Sequence, residues 1–226
     1  MSLSLASTSL LLAAVAYAAD MPVTVSHLVT GTPSHVEITN TSPQTVTAWS
    51  LATTAVYGDR THREVMTTDG YLSEATHGLA GASERLERLA PGQSREIPLD
   101  PLPPGATVDV IAVALDDGTA VGDEAAISSI FARRVKERDA LRAVVDSFKE
   151  VLAARQGAEA VSALRERFTA LVQREDSIPC RAALDAVQSY ARKSSADDIN
   201  QSLQTYATFV TKEYELAVKH ATRKSP

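Results

Sequence analysis

Thr107–Val135 reads TVDVIAVALDDGTAVGDEAAISSIFARRV, and the spacing of its apolar residues changes partway through. Val108, Val110, Ile111, Ala112, Val113, Ala114 and Leu115 form a near-continuous apolar run, the pattern of a strand covered on both faces. Asp116-Asp117-Gly118 supplies a tight turn, and Thr119 to Val121 returns as the second arm of a hairpin. From Asp123 the apolar residues recur about every 3.6 positions, with Ile127, Ile130, Phe131 and Val135 on one stripe. Asp123 is a suitable helix N-cap. Gly122 therefore divides a strand-bearing part from a helical part.

Upstream, β-branched segments alternate with turn residues. Strands are expected at Val23 to Thr30, His35 to Thr39, Thr45 to Tyr57, His62 to Thr67 and Ser94 to Leu99. Asn40-Thr41-Ser42-Pro43 and Ala90-Pro91-Gly92 are turn clusters. Six or seven short strands joined this way fit an antiparallel β-sandwich over residues 19–122. Tyr71 to Arg88 reads as a long loop, with a helical turn at Ser83 to Leu89.

Downstream, residues 123–226 carry helical patterns at 123–156, 158–175, 178–193 and 196–222, with Gly157 placed to end the first as its C′ residue. The first stripe continues through Leu141, Val144, Val145, Phe148 and Val151. Such a helix is about 50 Å long, so the next helices must cover what a small sandwich leaves bare. Their own stripes need burial too, and a helical hairpin or bundle follows. The fold class is α+β.

Charge divides at the same place. From Ala19 to Gly122 there are 13 acidic and 5 basic residues, and from Asp123 to Pro226 there are 15 acidic and 17 basic. The overall charge of −6 argues against nucleic acid as a partner. Cys180 is the single cysteine, so no intramolecular disulfide forms. Leu10 to Ala16 is a short apolar run followed by an A-x-A sequence at Ala16-Tyr17-Ala18, which makes residues 1–18 a signal peptide. No Lys or Arg precedes that run, leaving the positive charge to the N-terminal amine or to residues upstream of Met1. An exported protein, periplasmic or secreted, is expected, with no stable membrane span after cleavage.

The chemistry-bearing residues are sparse. His27, His35, His62, His77 and His220 lack metal-type spacing to one another or to Cys180, so neither metal nor cofactor is expected. Asp116-Asp117-Gly118 with Gly122-Asp123 lacks the regular oxygen ligands of a calcium loop and reads as a turn plus a cap. Asn40-Thr41-Ser42 and Asn200-Gln201-Ser202 match the glycosylation sequon, but by accident in this setting. No nucleophile elbow or phosphate-binding glycine loop occurs, and no catalytic residue is nominated. Arg133, Arg134, Lys136, Arg138 and Arg142 form the one basic cluster, interrupted by Glu137 and Asp139. It is the candidate interaction site, and contact with the acidic sandwich of the same or a neighbouring chain is its expected use.

The stretch Val36-Glu37-Ile38-Thr39-Asn40-Thr41-Ser42, then Val46-Thr47-Ala48-Trp49, Pro91-Gly92 and Asp116-Asp117-Gly118-Thr119, resembles the immunoglobulin-like sandwich of uncharacterised exported bacterial proteins. The resemblance covers about half the chain. It implies that fold and an envelope setting, and it implies no catalytic residue. The resulting expectation is a non-enzymatic envelope protein acting by protein binding or assembly, with a protein partner or self-association through the helices. Two other classes stay open: a hydrolase-type or metal-dependent enzyme using His62, Asp69 or His77 in the 57–88 region, and a structural spacer built on the long helix.

Overall fold

The computed structural model describes residues 21–76, 87–175, 177–193 and 195–224. The expected signal peptide lies outside them, as do His77 and residues 83–86 of the expected helical turn. In chain order the strands are β1 (Val23–Val29), β2 (Ser34–Asn40), β3 (Val46–Tyr57), β4 (Arg60–Asp69), β5 (Ser94–Leu99), β6 (Thr107–Leu115) and β7 (Ala120–Gly122). A 3-10 turn (Tyr71–Thr76) follows β4. Four helices complete the chain: α1 (Glu124–Ala154), α2 (Gly157–Arg174), α3 (Ile178–Tyr190) and α4 (Ala196–His220).

The strands form two antiparallel sheets, one in the order β1-β2-β5 and one in the order β4-β3-β6-β7. Val36 and Ile38 of the first sheet meet Trp49, Leu51 and Val113 of the second in one apolar core. The opposite face of the second sheet carries Ala48, Ala112 and Ala114, and Ile127, Ile130 and Phe131 of α1 cover it. The apolar run of β6 is thus covered on both sides, as its composition requires. Pairing of β3 with β6 shifts by one residue between Val46 and Ala48. A bulge there leaves Val46 in the core between the sheets and turns Thr47 toward the helices.

Gly122 makes the turn from sheet to helix. Its φ is 122°, and a Cβ there would lie 2.1 Å from the Ile111 carbonyl oxygen. Only glycine satisfies both constraints. The next residue donates its N–H to that same oxygen at 2.7 Å, and its side chain caps α1 by accepting from the Ala126 N–H at 2.9 Å.

At about 46 Å, α1 is longer than the sheet it crosses. Its later residues Leu141, Val144 and Phe148 pack with Leu164, Phe168, Val187 and Leu203 of the other helices in a second core. The long helix therefore links two packed regions. No helix of the described residues is long and apolar enough to cross a membrane.

Three local expectations need correction. The segment after β4 opens with the 3-10 turn, and Glu87 to Leu89 are not helical. Leu89 forms a bridge to Val46 with both backbone groups bonded, at 2.9 and 3.0 Å, while its side chain fills the core between the sheets. That pairing satisfies polar groups which a buried loop would leave orphaned. Gly157 is not the C′ residue of α1, because Arg155 caps that helix. It opens α2 with φ 55°, and its N–H donates to Asn200 Oδ1 of α4 at 2.7 Å. β4 is also longer than its composition predicts, running on to Asp69 under the cover of α1.

Candidate functional site

Arg134 is 0% exposed, and β3, β4, the 3-10 turn and α4 all present groups to it. Its Nε and Nη2 donate to Asp69 Oδ2 and Oδ1 at 2.9 and 2.8 Å, a two-pronged pair. Nη2 also donates to Thr47 Oγ1 at 3.0 Å, and Nη1 to the His220 carbonyl at 3.3 Å. The Tyr71 ring lies 4.8 Å and the Phe131 ring 5.3 Å from the guanidinium carbon, close enough for cation–π attraction. Burying an arginine is tolerated only when its donors are occupied and its charge is balanced. The bulge at Thr47 and the C-terminal end of β4 supply both.

From this junction a polar chain leads outward. Tyr71 donates its hydroxyl to Glu137 Oε2 at 2.9 Å. Burial, together with the charge and hydrogen bond of Glu137, holds the phenol far above its ordinary range. Glu137 lies three residues beyond Arg134 on α1, and burial raises its carboxyl while the Tyr71 hydrogen bond opposes the rise.

Glu137 also lines a cavity of about 360 Å³ between α1, α3, α4 and the 3-10 turn. Leu72, Leu141, Pro179, Phe209 and Val210 form its apolar walls, and Ile178 stands at the rim with 69% of its surface exposed. Glu213 of α4 is the second carboxylate on the wall. Among the described residues it has no hydrogen bond or ion pair. Burial, reinforced by the charge of Glu137, pushes it up to about 7. No lysine or arginine is among the residues lining this cavity.

Comparison with known proteins finds no matching family model, no similar curated protein and no matching solved structure.

The five basic residues nominated from the sequence do not gather into one patch. Arg133 and Arg134 converge on Asp69, Arg133 at 3.2 Å from its Oδ2. Arg138 pairs with Asp139 at 2.8 Å and Arg142 with Asp146 at 3.7 Å, both on α1 itself, while Lys136 is exposed. The reason is helical geometry, which sends consecutive side chains to different faces. Contact with the sheet region is made within the chain by the first two.

His62 and Asp69, the described residues of the alternative enzyme reading, are likewise separated. His62 is exposed and pairs with Ala55, whereas Asp69 pairs with Ala48 and is engaged by Arg134. Along β4 the two lie roughly 23 Å apart. Among the described residues no group of three or more His, Cys, Asp or Glu is placed to hold a metal ion. Asp117 of the acidic turn accepts from the Thr119 N–H and hydroxyl at 2.9 and 2.7 Å, as a turn residue does. Asn40 and Asn200 of the two sequons both direct side-chain groups to backbone partners. Cys180 is buried in the helical core.

His220, set aside in the sequence for want of metal-type spacing, belongs to this junction. It is buried, its ring lies 5.6 Å from that of Tyr71, and its Nε2 is 3.6 Å from Asp116 Oδ1. Its Nδ1 has no hydrogen-bond partner among the described residues. Burial, with the charges of Lys219 and Arg134, lowers it to about 4, so the imidazole is neutral at pH 7.

Proposed function

We propose that this chain is a non-enzymatic, exported envelope protein that acts by binding a partner protein in the cavity between α1, α3 and α4. The observation that carries the reading is Glu213: a carboxylate without a partner among the described residues, on a mostly apolar wall shared with Glu137 and beside a rim where Ile178 is exposed. A concave apolar site with a few placed polar groups is the usual form of a binding pocket. Arg134 and its contacts hold the wall carrying Glu137 fixed against the sheet, which limits the ordering cost of binding.

The envelope setting rests on the apolar run and A-x-A sequence of residues 10–18. It is joined by the sheets. We read the two sheets β1-β2-β5 and β4-β3-β6-β7 as immunoglobulin-like on one feature, the buried tryptophan that the third strand carries into their shared core, with β4 added beside β3.

Capture from envelope extracts tests the reading, with wild type compared against Ala182→Trp. Ala182 lines the cavity, and an indole there fills it. Proteins retained by wild type and lost with the filled pocket support the proposal, and equal retention overturns it. N-terminal sequencing of the mature chain, expected to begin at Ala19, tests the export.

A further inference from the structure

We propose that the group received by this pocket is a lysine or arginine side chain of the partner protein. The inference rests on the binding reading above and gives it a chemistry.

The wall composition decides the occupant. The apolar side chains Leu72, Leu141 and Val210 suit an aliphatic stem. Glu137 and Glu213 offer two carboxylates to its head group, and the rings of Tyr206 and Phe209 offer π faces within the same cavity. Asp185 of α3 adds negative potential at Tyr206. The cations whose charges reach Glu137 are Arg133 and Arg134, and both are committed to Asp69. The pocket is therefore negative and lacks an internal counter-charge. An anionic occupant would face repulsion from both carboxylates, and a neutral apolar one would cover the half-buried Glu213 without giving it a partner. A long-stemmed cation resolves both, with its stem on the apolar wall and its charge on the carboxylates. At about 360 Å³ the space is near the lower limit for small-molecule sites, which suits one side chain.

The test is NMR titration of the isotope-labelled full chain at pH 8, where Glu213 is ionised. Three probes are used: N-acetyl-glycyl-lysyl-glycinamide, n-hexylammonium and n-hexanol. The expected result is that the lysine peptide and hexylammonium shift the amide resonances around Val210 and Glu213, with hexanol binding at least about tenfold more weakly. Glu213→Gln should weaken both cationic probes by about tenfold or more. That variant removes a half-buried charge that has no partner among the described residues, so its melting temperature should be unchanged or higher, which confirms that it folds. Equal binding of hexanol, or unchanged binding to Glu213→Gln, overturns the inference. Binding of hexylammonium without the lysine peptide also overturns it and points to a free amine. Silence from every probe overturns it as well, while the Ala182→Trp capture decides separately whether the pocket holds any partner.

Discussion

Arg134 of α1 and Asp69 at the end of β4 meet as a buried two-pronged pair, at 2.9 and 2.8 Å, and join the helices to the sheets. Both side chains are almost completely inaccessible, 0% and 2% exposed. A buried pair of this kind is costly to break from one side, because the survivor keeps its charge without compensation.

Arg134→Met should therefore destabilise the protein by about 3–5 kcal/mol, with the half-exposed Arg133 left beside Asp69. The double variant Asp69→Leu with Arg134→Met should recover most of that loss, since two apolar groups replace two charges. The measurement is denaturant unfolding with two signals. Trp49, the single tryptophan, reports on the core between the sheets, and circular dichroism reports on the helices. In wild type the two transitions should coincide, and in Arg134→Met they should separate. Separate transitions in wild type would show that the junction does not couple the two regions.

Two titrating groups, buried His220 and half-buried Glu213, pull stability in opposite directions with pH. His220 has an ordinary value of 6.5 and is lowered to about 4, so between these values the unfolded chain binds more protons than the folded one. Its contribution is present above pH 6.5 and is lost as the pH falls toward 4. Glu213 has an ordinary value of 4.5 and is raised to about 7, so here the folded chain holds the proton. Its contribution is present below pH 4.5 and is lost as the pH rises through 7. Wild-type stability between pH 4.5 and 6.5 should consequently vary less than that of either single variant. His220→Gln should show stability falling as the pH rises, and Glu213→Gln should show stability falling as the pH drops. Melting temperatures across pH 4 to 8 check this, and parallel profiles for the two variants would contradict it.

Gly122→Ala should cost at least about 1–3 kcal/mol, since it combines a strained backbone with a Cβ placed against the Ile111 carbonyl. Gly58→Ala is a useful comparison. Its φ is 64° but nothing lies within 4 Å of the added Cβ, so strain acts there without a clash. A loss at position 122 no greater than at position 58 would contradict the account of the sheet-to-helix turn.

Much of the architecture was legible because it depends on local periodicity. The switch from alternating to helical spacing across Gly122 located the boundary, and the apolar run of β6 announced cover on both faces. Partner choice was less visible. Leu89 joins the sheet region through a single bridge to Val46, a pairing between distant segments that carries no periodic signal. The site lay between these cases. Arg134 and Glu137 fall on the stripe of Ile127, Ile130, Phe131 and Leu141, and Glu213 falls on that of Leu203, Tyr206, Val210 and Ala217. A charge on an apolar stripe is the available signal, and grouping Arg134 with its basic neighbours concealed it. Asp69 and Tyr71 carried no such mark, because the pairing of β4 with β3 and a 3-10 turn bring them to α1.

The central claim is that a partner docks at the cavity marked by Glu213, and photo-crosslinking in intact cells tests it most directly. A benzophenone amino acid is placed at Ile178 on the rim, or at exposed Val65 on β4 as the control. The account predicts a defined covalent adduct from position 178 that is absent from position 65 and lost when Ala182→Trp fills the pocket. No adduct from position 178, or one that survives the filled pocket, would contradict it.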